Sequence, residues 1–295
     1  MTKGKSEHLP LIAFCALGVI WGSNFIYMKM AAHLISPLQI VFFRVLFGFI
    51  PVVLYAQLRG LLRWQHLKHI GPFFVMGLLA TAVYYYGFAK GTSLLLSGVA
   101  GAVSGAIPLF SFLLAVLFIA EEKATRLKIA GILIGLVGVV IIGRPSGADL
   151  ASTNLEGVLY MVAGSLSVGA SFVYAKKFII PLKIPATALT TYQLGLGLLV
   201  LALFTDYSDI GNIFSSTHAS LGLIIGLGLL GTGLAYIIYY YIVEKLGAVS
   251  ASSVTYIPPV VALLIGSLIV GEPITLADYG STLLIFAGVF LLKQK

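Results

Sequence analysis

The sequence predicts an all-α polytopic membrane protein: ten transmembrane helices arranged as two inverted five-helix repeats around a central cavity. Three observations carry that prediction. Of 295 residues, 59% are apolar and 9% are charged, against roughly 45–50% and about 25% in ordinary soluble domains. So few charged side chains cannot cover the surface of a soluble globule this long, and the abundance of apolar surface excludes intrinsic disorder. The apolar residues also fall into ten runs, each near the ~20 residues a spanning helix needs, which leaves no room for a separate aqueous domain. Finally, segments of the first half recur in the second half in the same order.

The runs read as helices because lipid offers no partner to an open sheet edge and because they lack the strict alternation of barrel strands. The first, 9–30, follows Lys3 and Lys5, and is expected as an uncleaved first span because no convincing cleavage site is present. The second, 37–57, opens on Pro37 and is followed by Arg59, Arg63 and Lys68. The third, 69–89, holds Tyr84, Tyr85 and Tyr86 and ends before Lys90; the fourth, 93–119, carries Pro108 and leads to Glu122. The fifth, 126–143, is rich in glycine and ends at Arg144. The sixth, 155–177, closes on Lys176 and Lys177, and the seventh, 186–205, opens after Pro185 and ends before Asp206. The eighth, 219–243, holds Tyr236, Tyr239, Tyr240 and Tyr241; the ninth, 248–270, carries Pro258 and Pro259 and leads to Gly271 and Glu272; the tenth is 275–292.

Charge then orients the chain. The net charge of +8 first suggests a nucleic-acid partner. With the N-terminus inside, however, fourteen of the eighteen Lys and Arg residues fall in inner segments, from Lys3 and Lys5 to Lys293 and Lys295. Only Lys90 and Arg144 lie outside, together with acidic residues including Asp149, Glu156, Asp206, Asp209, Glu272 and Asp278. This is the positive-inside pattern, with the basic side facing anionic inner-leaflet lipid. Both termini are expected in the cytoplasm and no nucleic-acid partner is expected. Lys29 and Arg44 are left within spans.

The repeat is specific in several places. WGSNFIYMKM (21–30) matches VGASFVYAKK (168–177), so that Lys29 pairs with Lys176. IPLFSFLLAVLFIAEE (107–122) matches IPPVVALLIGSLIVGE (257–272) with six identities, including Pro108/Pro258 and Glu122/Glu272. Pro37 and Pro185 each open the second span of a half, and Gly138–Val139 pairs with Gly288–Val289. The halves are taken as 1–147 and 148–295. Five spans per half is odd, so the second half enters the membrane inverted, a hallmark of secondary transporters with a mid-membrane site between the halves.

These residues resemble the EamA-type branch of the drug/metabolite transporter superfamily. The resemblance rests on Trp21-Gly22-Ser23-Asn24-Phe25, on Arg44 seven residues after Pro37, and on the Pro108 and Pro258 helices ending at Glu122 and Gly271-Glu272 before glycine-rich fifth spans. Within the superfamily the chain is similar to bacterial amino-acid exporters of the YddG type. The resemblance implies spans 1–4 and 6–9 around a cavity, spans 5 and 10 peripheral, and a bacterial inner membrane. On the sequence alignment Tyr192 stands where the first half has Arg44.

Enzyme motifs are missing: no HExxH, no GxSG and no paired carboxylates within a span. The GKS at 4–6 lacks the upstream glycine of a phosphate loop, and the GxGxxG at Gly226, Gly228 and Gly231 has no preceding strand. Close helix packing explains those glycines, as it does GxxxG pairs such as Gly18/Gly22 and Gly131/Gly135. Cys15 is the only cysteine, so no disulfide or redox pair exists. No catalytic residue, cofactor or metal is expected.

The cavity candidates are Trp21, Asn24, Arg44, Tyr84, Tyr85, Tyr86, Tyr236, Tyr240, Ser253 and Tyr256, with Pro108, Pro258 and Pro259 as hinges or helix breaks. A charge at mid-span costs at least ~2.5–3.5 kcal/mol, so Arg44 either binds a substrate carboxylate, holds an inter-helix network, or snorkels. Asn24 either bonds a neighbouring helix or faces the cavity. The tyrosine clusters serve an interfacial belt or turn inward, and Tyr236 and Tyr240 share a face at i, i+4. A nearly uncharged cavity suits an amino acid or a similar zwitterion, its ammonium against aromatic faces and its carboxylate at Arg44, Asn24 or a hydroxyl. Export by alternating access is the leading expectation, driven by a proton, an exchange partner or the substrate gradient. A sugar-phosphate or nucleotide-sugar antiporter, and a channel or structural bundle, are the alternatives.

Overall fold

Along each apolar run only the intrahelical partner is available to a backbone N–H in lipid, and the chain folds accordingly. The computed structural model describes residues 8–142, 155–247, 251, 253–292 and 294. Lys3, Lys5, the GKS at 4–6, Arg144, Asp149, Lys293, Lys295 and the 147/148 division lie outside these residues. Among the described residues there is no strand, and eight helical runs are long and apolar enough to cross a membrane. They are α1 (Leu9–Ala32), α2 (Pro37–Leu58), α3 (Trp64–Leu94), α4 (Ser97–Phe118), α6 (Leu155–Leu182), α7 (Ala186–Phe204), α8 (Thr217–Leu246) and α9 (Ser253–Val270). Two further apolar helices of 17 residues, α5 (Arg126–Ile142) and α10 (Leu276–Leu292), follow α4 and α9.

Helix ends follow local chemistry. Ser36 and Gln39 form a reciprocal capping box ahead of Pro37, which satisfies two amide donors at the start of α2. Thr275 and Asp278 do the same for α10. The third run departs from expectation: α3 continues to Leu94, so Lys90 lies within the helix and not in an outer loop. Its ammonium sits 5.8 Å from the centre of the Tyr160 ring, an aromatic partner that lets the charge stay on the helix.

The helices are irregular where they meet. α3 widens into a π-helical segment at Leu78–Val83, and α8 does so at Gly222–Leu234, a form concentrated at functional positions. α4 and α9 each consist of two shorter pieces. In both, proline stands in the first turn of the second piece, Pro108 after Ala106 and Pro258–Pro259 after Tyr256. There its missing N–H costs nothing. The expected interruption deep within a helix is therefore a restart, not a prolyl kink.

Packing relies on close backbone approach. The GxGxxG glycines of α8 make a trough: Gly226 lies under the Tyr27 ring, Gly228 under Phe47 and Gly231 under Asn24. Contacts also recur between the halves. Gly22 of α1 abuts Val261 of α9, and its repeat mate Gly169 of α6 abuts Ser111 of α4, the mate of Val261. Gly138 of α5 lies on the Ser281 carbonyl of α10, while Gly288 lies on the Gly131 carbonyl. Buried hydroxyls such as Ser165 and Thr191 return their protons to carbonyls four residues back, at 2.8 Å in both cases, so these two hydroxyls are satisfied within their own helices. Large apolar side chains such as Leu58, Leu203, Leu268 and Leu276 are exposed on the exterior, which lipid accommodates and water would not.

Candidate functional site

Arg44 lies seven residues into α2, about 10 Å along its axis, and is 5% exposed. Its Nε donates to Thr232 Oγ1 at 3.0 Å, across to the π-helical segment of α8. Its Nη1 faces Met28 Sδ of α1 at 3.9 Å, and the guanidinium lies 3.9 Å from the centre of the Tyr85 ring of α3. A desolvated contact of this kind contributes about 2 kcal/mol. Four helices thus meet on one cation. Among the described residues no carboxylate pairs with it.

Beside it, Asn24 of α1 is 5% exposed, and its Oδ1 rests on Gly231, next in sequence to Thr232. That oxygen has no hydrogen-bond partner among the described residues. Leaving a buried polar atom unpaired costs about 1–3 kcal/mol. One turn further along α1, Met28 is already on Arg44. The site therefore presents a cation without an anion and an acceptor without a donor.

From this centre a line of hydroxyls runs along α8 towards α7. Tyr85 Oη lies 3.3 Å from Tyr236 Oη, the Tyr236 and Tyr240 rings stack, and Tyr240 Oη contacts Thr190 Oγ1 of α7. Tyr84 packs edgewise on Phe88 beside Tyr85. Arg44, Asn24, Tyr84, Tyr85, Tyr236 and Tyr240 are thus brought into one region. Other candidates fall elsewhere. Tyr86 turns to the opposite side of α3, against Tyr160 and an apolar groove of about 200 Å³ lined by Leu38, Val83 and Phe204. Trp21 lies against Tyr239 in a smaller cluster with Leu17, Ala235 and Val254. Ser253 and Tyr256 occupy the turn that precedes Pro258. Lys29 donates to the Ser93 carbonyl at 3.0 Å.

A second node repeats the first. Gln193 of α7, also 5% exposed, donates through Nε2 to Thr81 Oγ1 in the π-helical segment of α3 at 3.1 Å. Gly197, four residues on, abuts Thr81 Cγ2, just as Gly48 abuts Thr232 Cγ2. Gly77 lies under the Gln193 backbone as Gly228 lies under that of Arg44. The residue equivalent to Arg44 is therefore Gln193. Tyr192, which the alignment paired with Arg44, is one position off; it points away from the node, stacking on Phe73 and donating to the Arg63 carbonyl. Thr81, Gln193, Met28 and Thr232 were all missed in the sequence. Gln193 alone left a signal, an amide within an apolar run.

Comparison with known proteins places this architecture. The profile of the EamA-like transporter family matches residues 8–144 and again 155–293. An uncharacterized transporter of Archaeoglobus fulgidus is 28% identical over 275 residues, covering 93% of this chain and 95% of its own. The uncharacterized inner membrane transporter YedA of Escherichia coli is 28% identical over 276 residues, covering 92% and 86%. YoaV of Bacillus subtilis, an uncharacterized transporter, is 26% identical over 285 residues, with 95% of each chain covered. One solved crystal structure shares the fold, with a TM-score of 0.62 at 20% identity over 96% of this chain and 95% of the other.

Proposed function

The chain belongs to the EamA-like transporter family and is an integral membrane transporter, and from that premise we propose that it exports amino acids or similar zwitterions by alternating access between two inverted five-helix repeats. The observation that carries the substrate class is Arg44. A buried guanidinium without a carboxylate partner among the described residues is costly in a membrane, and a substrate carboxylate would complete it. Asn24 Oδ1, buried and unpaired nearby, offers the complementary acceptor for an ammonium. The faces of Tyr236 and Tyr240 add apolar and cation–π contact for the side chain. Phosphorylated sugars or nucleotide sugars call for several cations, and Lys29 and Lys90 are engaged at Ser93 and Tyr160 instead.

The two-repeat, ten-helix reading is supported by the two profile matches and by the recurring contacts around Arg44–Thr232 and Gln193–Thr81. The distribution of Lys and Arg supports cytoplasmic termini. The name of the Escherichia coli relative supports a cell-membrane location. The sequence carries no phosphate-binding loop of the GxxxxGK[ST] kind, and in this reading transport runs on the substrate gradient, a coupled ion or exchange.

Counterflow in proteoliposomes tests the reading. Vesicles loaded with one unlabelled amino acid should take up a labelled one saturably, with competition from only some side chains. Exchange of phosphorylated sugars with no amino-acid counterflow would replace this substrate class with the anionic one. Flux that does not saturate would replace the transporter cycle with a channel.

A further inference from the structure

Two short connections meet at one end of the bundle, residues 59–63 between α2 and α3 and residues 183–185 between α6 and α7. Gly60 turns the first. Its φ of +62° closes α2 with paired bonds, from Gly60 N to the Gln57 carbonyl and from Leu61 N to the Ala56 carbonyl. The chain then runs extended through Arg63 into the 3₁₀ turn Trp64–His69 that opens α3. Three residues per turn put Trp64, Leu67 and Ile70 in one row and His66 and His69 in another. The first row is exposed, Trp64 to 88%. The second packs inward, His66 edgewise on Tyr192 and His69 edgewise on Phe73. An exposed apolar row that begins with tryptophan, backed by a polar one, suits the membrane–water interface, the depth of lipid headgroups.

Here the two connections enclose a cavity of about 230 Å³ lined by Gly60, Leu61, Arg63, His66, Lys183 and Pro185. Its fixed charges are both positive. No carboxylate is in the lining, and among the described residues neither Arg63 nor Lys183 forms an ion pair. Tyr192 Oη donates to the Arg63 carbonyl at 3.2 Å, which leaves its oxygen to accept from His66 Nδ1 at 3.4 Å. One hydroxyl from α7 thus positions both Arg63 and His66. Across the cavity Lys183 is held at φ +54°, a left-handed conformation unfavourable for lysine. Glycine would take that turn without strain, as Gly60 does in the other connection, so the position keeps a cation at a conformational cost.

We propose that this cavity is a phosphate site, in which Arg63 and Lys183, one from each connection, hold a phosphate group between them with His66 as a third ligand. A guanidinium offers a planar fork to two phosphate oxygens, and an ammonium a point charge to another. The bound anion ties the α2–α3 connection to the α6–α7 connection. From Arg44 to its end at Leu58, α2 runs a further ~21 Å, so the phosphate site is separate from the central region and independent of what is transported there. The interfacial depth favours a lipid headgroup as the source, and a soluble phosphate compound has the same chemistry. The distribution of Lys and Arg supports this end as the cytoplasmic one, where anionic lipid is at hand.

The test reads lipid contact, not flux. The full chain with Trp21→Phe keeps one tryptophan, Trp64, next to Arg63. In phosphatidylcholine vesicles its fluorescence is titrated with brominated phosphatidylglycerol or brominated phosphatidylcholine, and the anionic lipid should quench at about tenfold lower mole fraction. Arg63→Gln should abolish that preference, and Lys183→Gln should cut it about threefold, since an exposed ammonium contributes less than a guanidinium fork. Lys68→Gln removes an equal charge from the same turn but outside the lining, and should leave the preference within twofold. Lys183→Gly removes the cation while relieving the backbone. Loss of preference in that variant, with an unfolding temperature no lower than wild type, separates loss of the ligand from damage to the fold. Inorganic phosphate, compared with chloride at equal ionic strength, identifies the source. A preference that it leaves unmoved assigns the site to lipid. A preference that it displaces, or an unfolding temperature that it raises in wild type but not in Arg63→Gln, assigns the site to soluble phosphates. Neither a lipid preference nor a phosphate effect, or equal losses in Lys68→Gln and Arg63→Gln, would overturn the site. Amino-acid counterflow is measured separately, so either reading can fail without the other.

Discussion

The contact of α2 with α8 and that of α7 with α3 are two versions of one interface. Each sets a glycine against a threonine methyl, Gly48 on Thr232 and Gly197 on Thr81. Each ties the helices with a side-chain N–H to the threonine hydroxyl, at 3.0 Å and 3.1 Å. Both tying residues are buried to the same extent. The difference is that one is arginine and the other glutamine. Since the amide of Gln193 suffices to bridge two helices at this geometry, bridging does not account for the charge on Arg44. A desolvated cation is far harder to bury than an amide, so the charge calls for another explanation, and the proposed substrate carboxylate supplies one.

The largest expected contrast comes from equalising the charge. Gln193→Arg puts a second cation into the neutral node, where the described neighbours supply no anion. Stability should fall by about 3 kcal/mol, the cost of an arginine at mid-span, measured by thermal unfolding of the purified protein in detergent. A fully stable Gln193→Arg would mean that the scaffold accepts charge at either node, and Arg44 would then need no functional explanation. The converse change, Arg44→Gln, makes the first node a copy of the second. By the same measurement it should leave stability within about 1 kcal/mol of wild type, since one hydrogen bond to Thr232 replaces another. Amino-acid counterflow should weaken about thirtyfold in apparent affinity, as a charge-assisted hydrogen bond is lost. Unchanged counterflow would return Arg44 to a purely structural role.

The sequence made the scaffold legible but the nodes only partly so. Hydropathy and the ~20-residue length of a span placed the helices, and glycine and proline punctuation marked their ends, because lipid leaves the backbone one solution. α3 overran its expected end because Lys90 was read as a boundary, and the Tyr160 ring that shelters it lies in another helix. Arg44 and Asn24 stood out because polar groups are rare in such runs. Thr232 and Thr81 did not, since threonine is ordinary in a membrane helix and its importance arises from a π-helical widening. The mispairing of Arg44 with Tyr192 has the same origin: a one-residue shift costs nothing in an apolar alignment, yet it turns a side chain by ~100° around the helix. Tyr86 was misjudged likewise, since three consecutive tyrosines cannot share a face.

The smallest expected contrast is the sharpest check on the comparison itself. An ideal Cβ on Gly48 would lie 2.6 Å from Thr232 Cγ2, and one on Gly197 would lie 2.8 Å from Thr81 Cγ2. Both are too close for van der Waals contact, so Gly48→Ala and Gly197→Ala should each destabilise by overpacking, about 1–3 kcal/mol. If the two interfaces are equivalent in their backbones and differ only in charge, the two costs should agree within about 0.5 kcal/mol, the usual scatter for independent sites. A larger gap would mean that the helices approach differently at the two nodes. In that case the charge on Arg44 could reflect local packing, and Gln193 would no longer serve as its control. Agreement would leave the charge as the one variable between the nodes, and it would tie the thirtyfold effect of Arg44→Gln to chemistry and not to the scaffold.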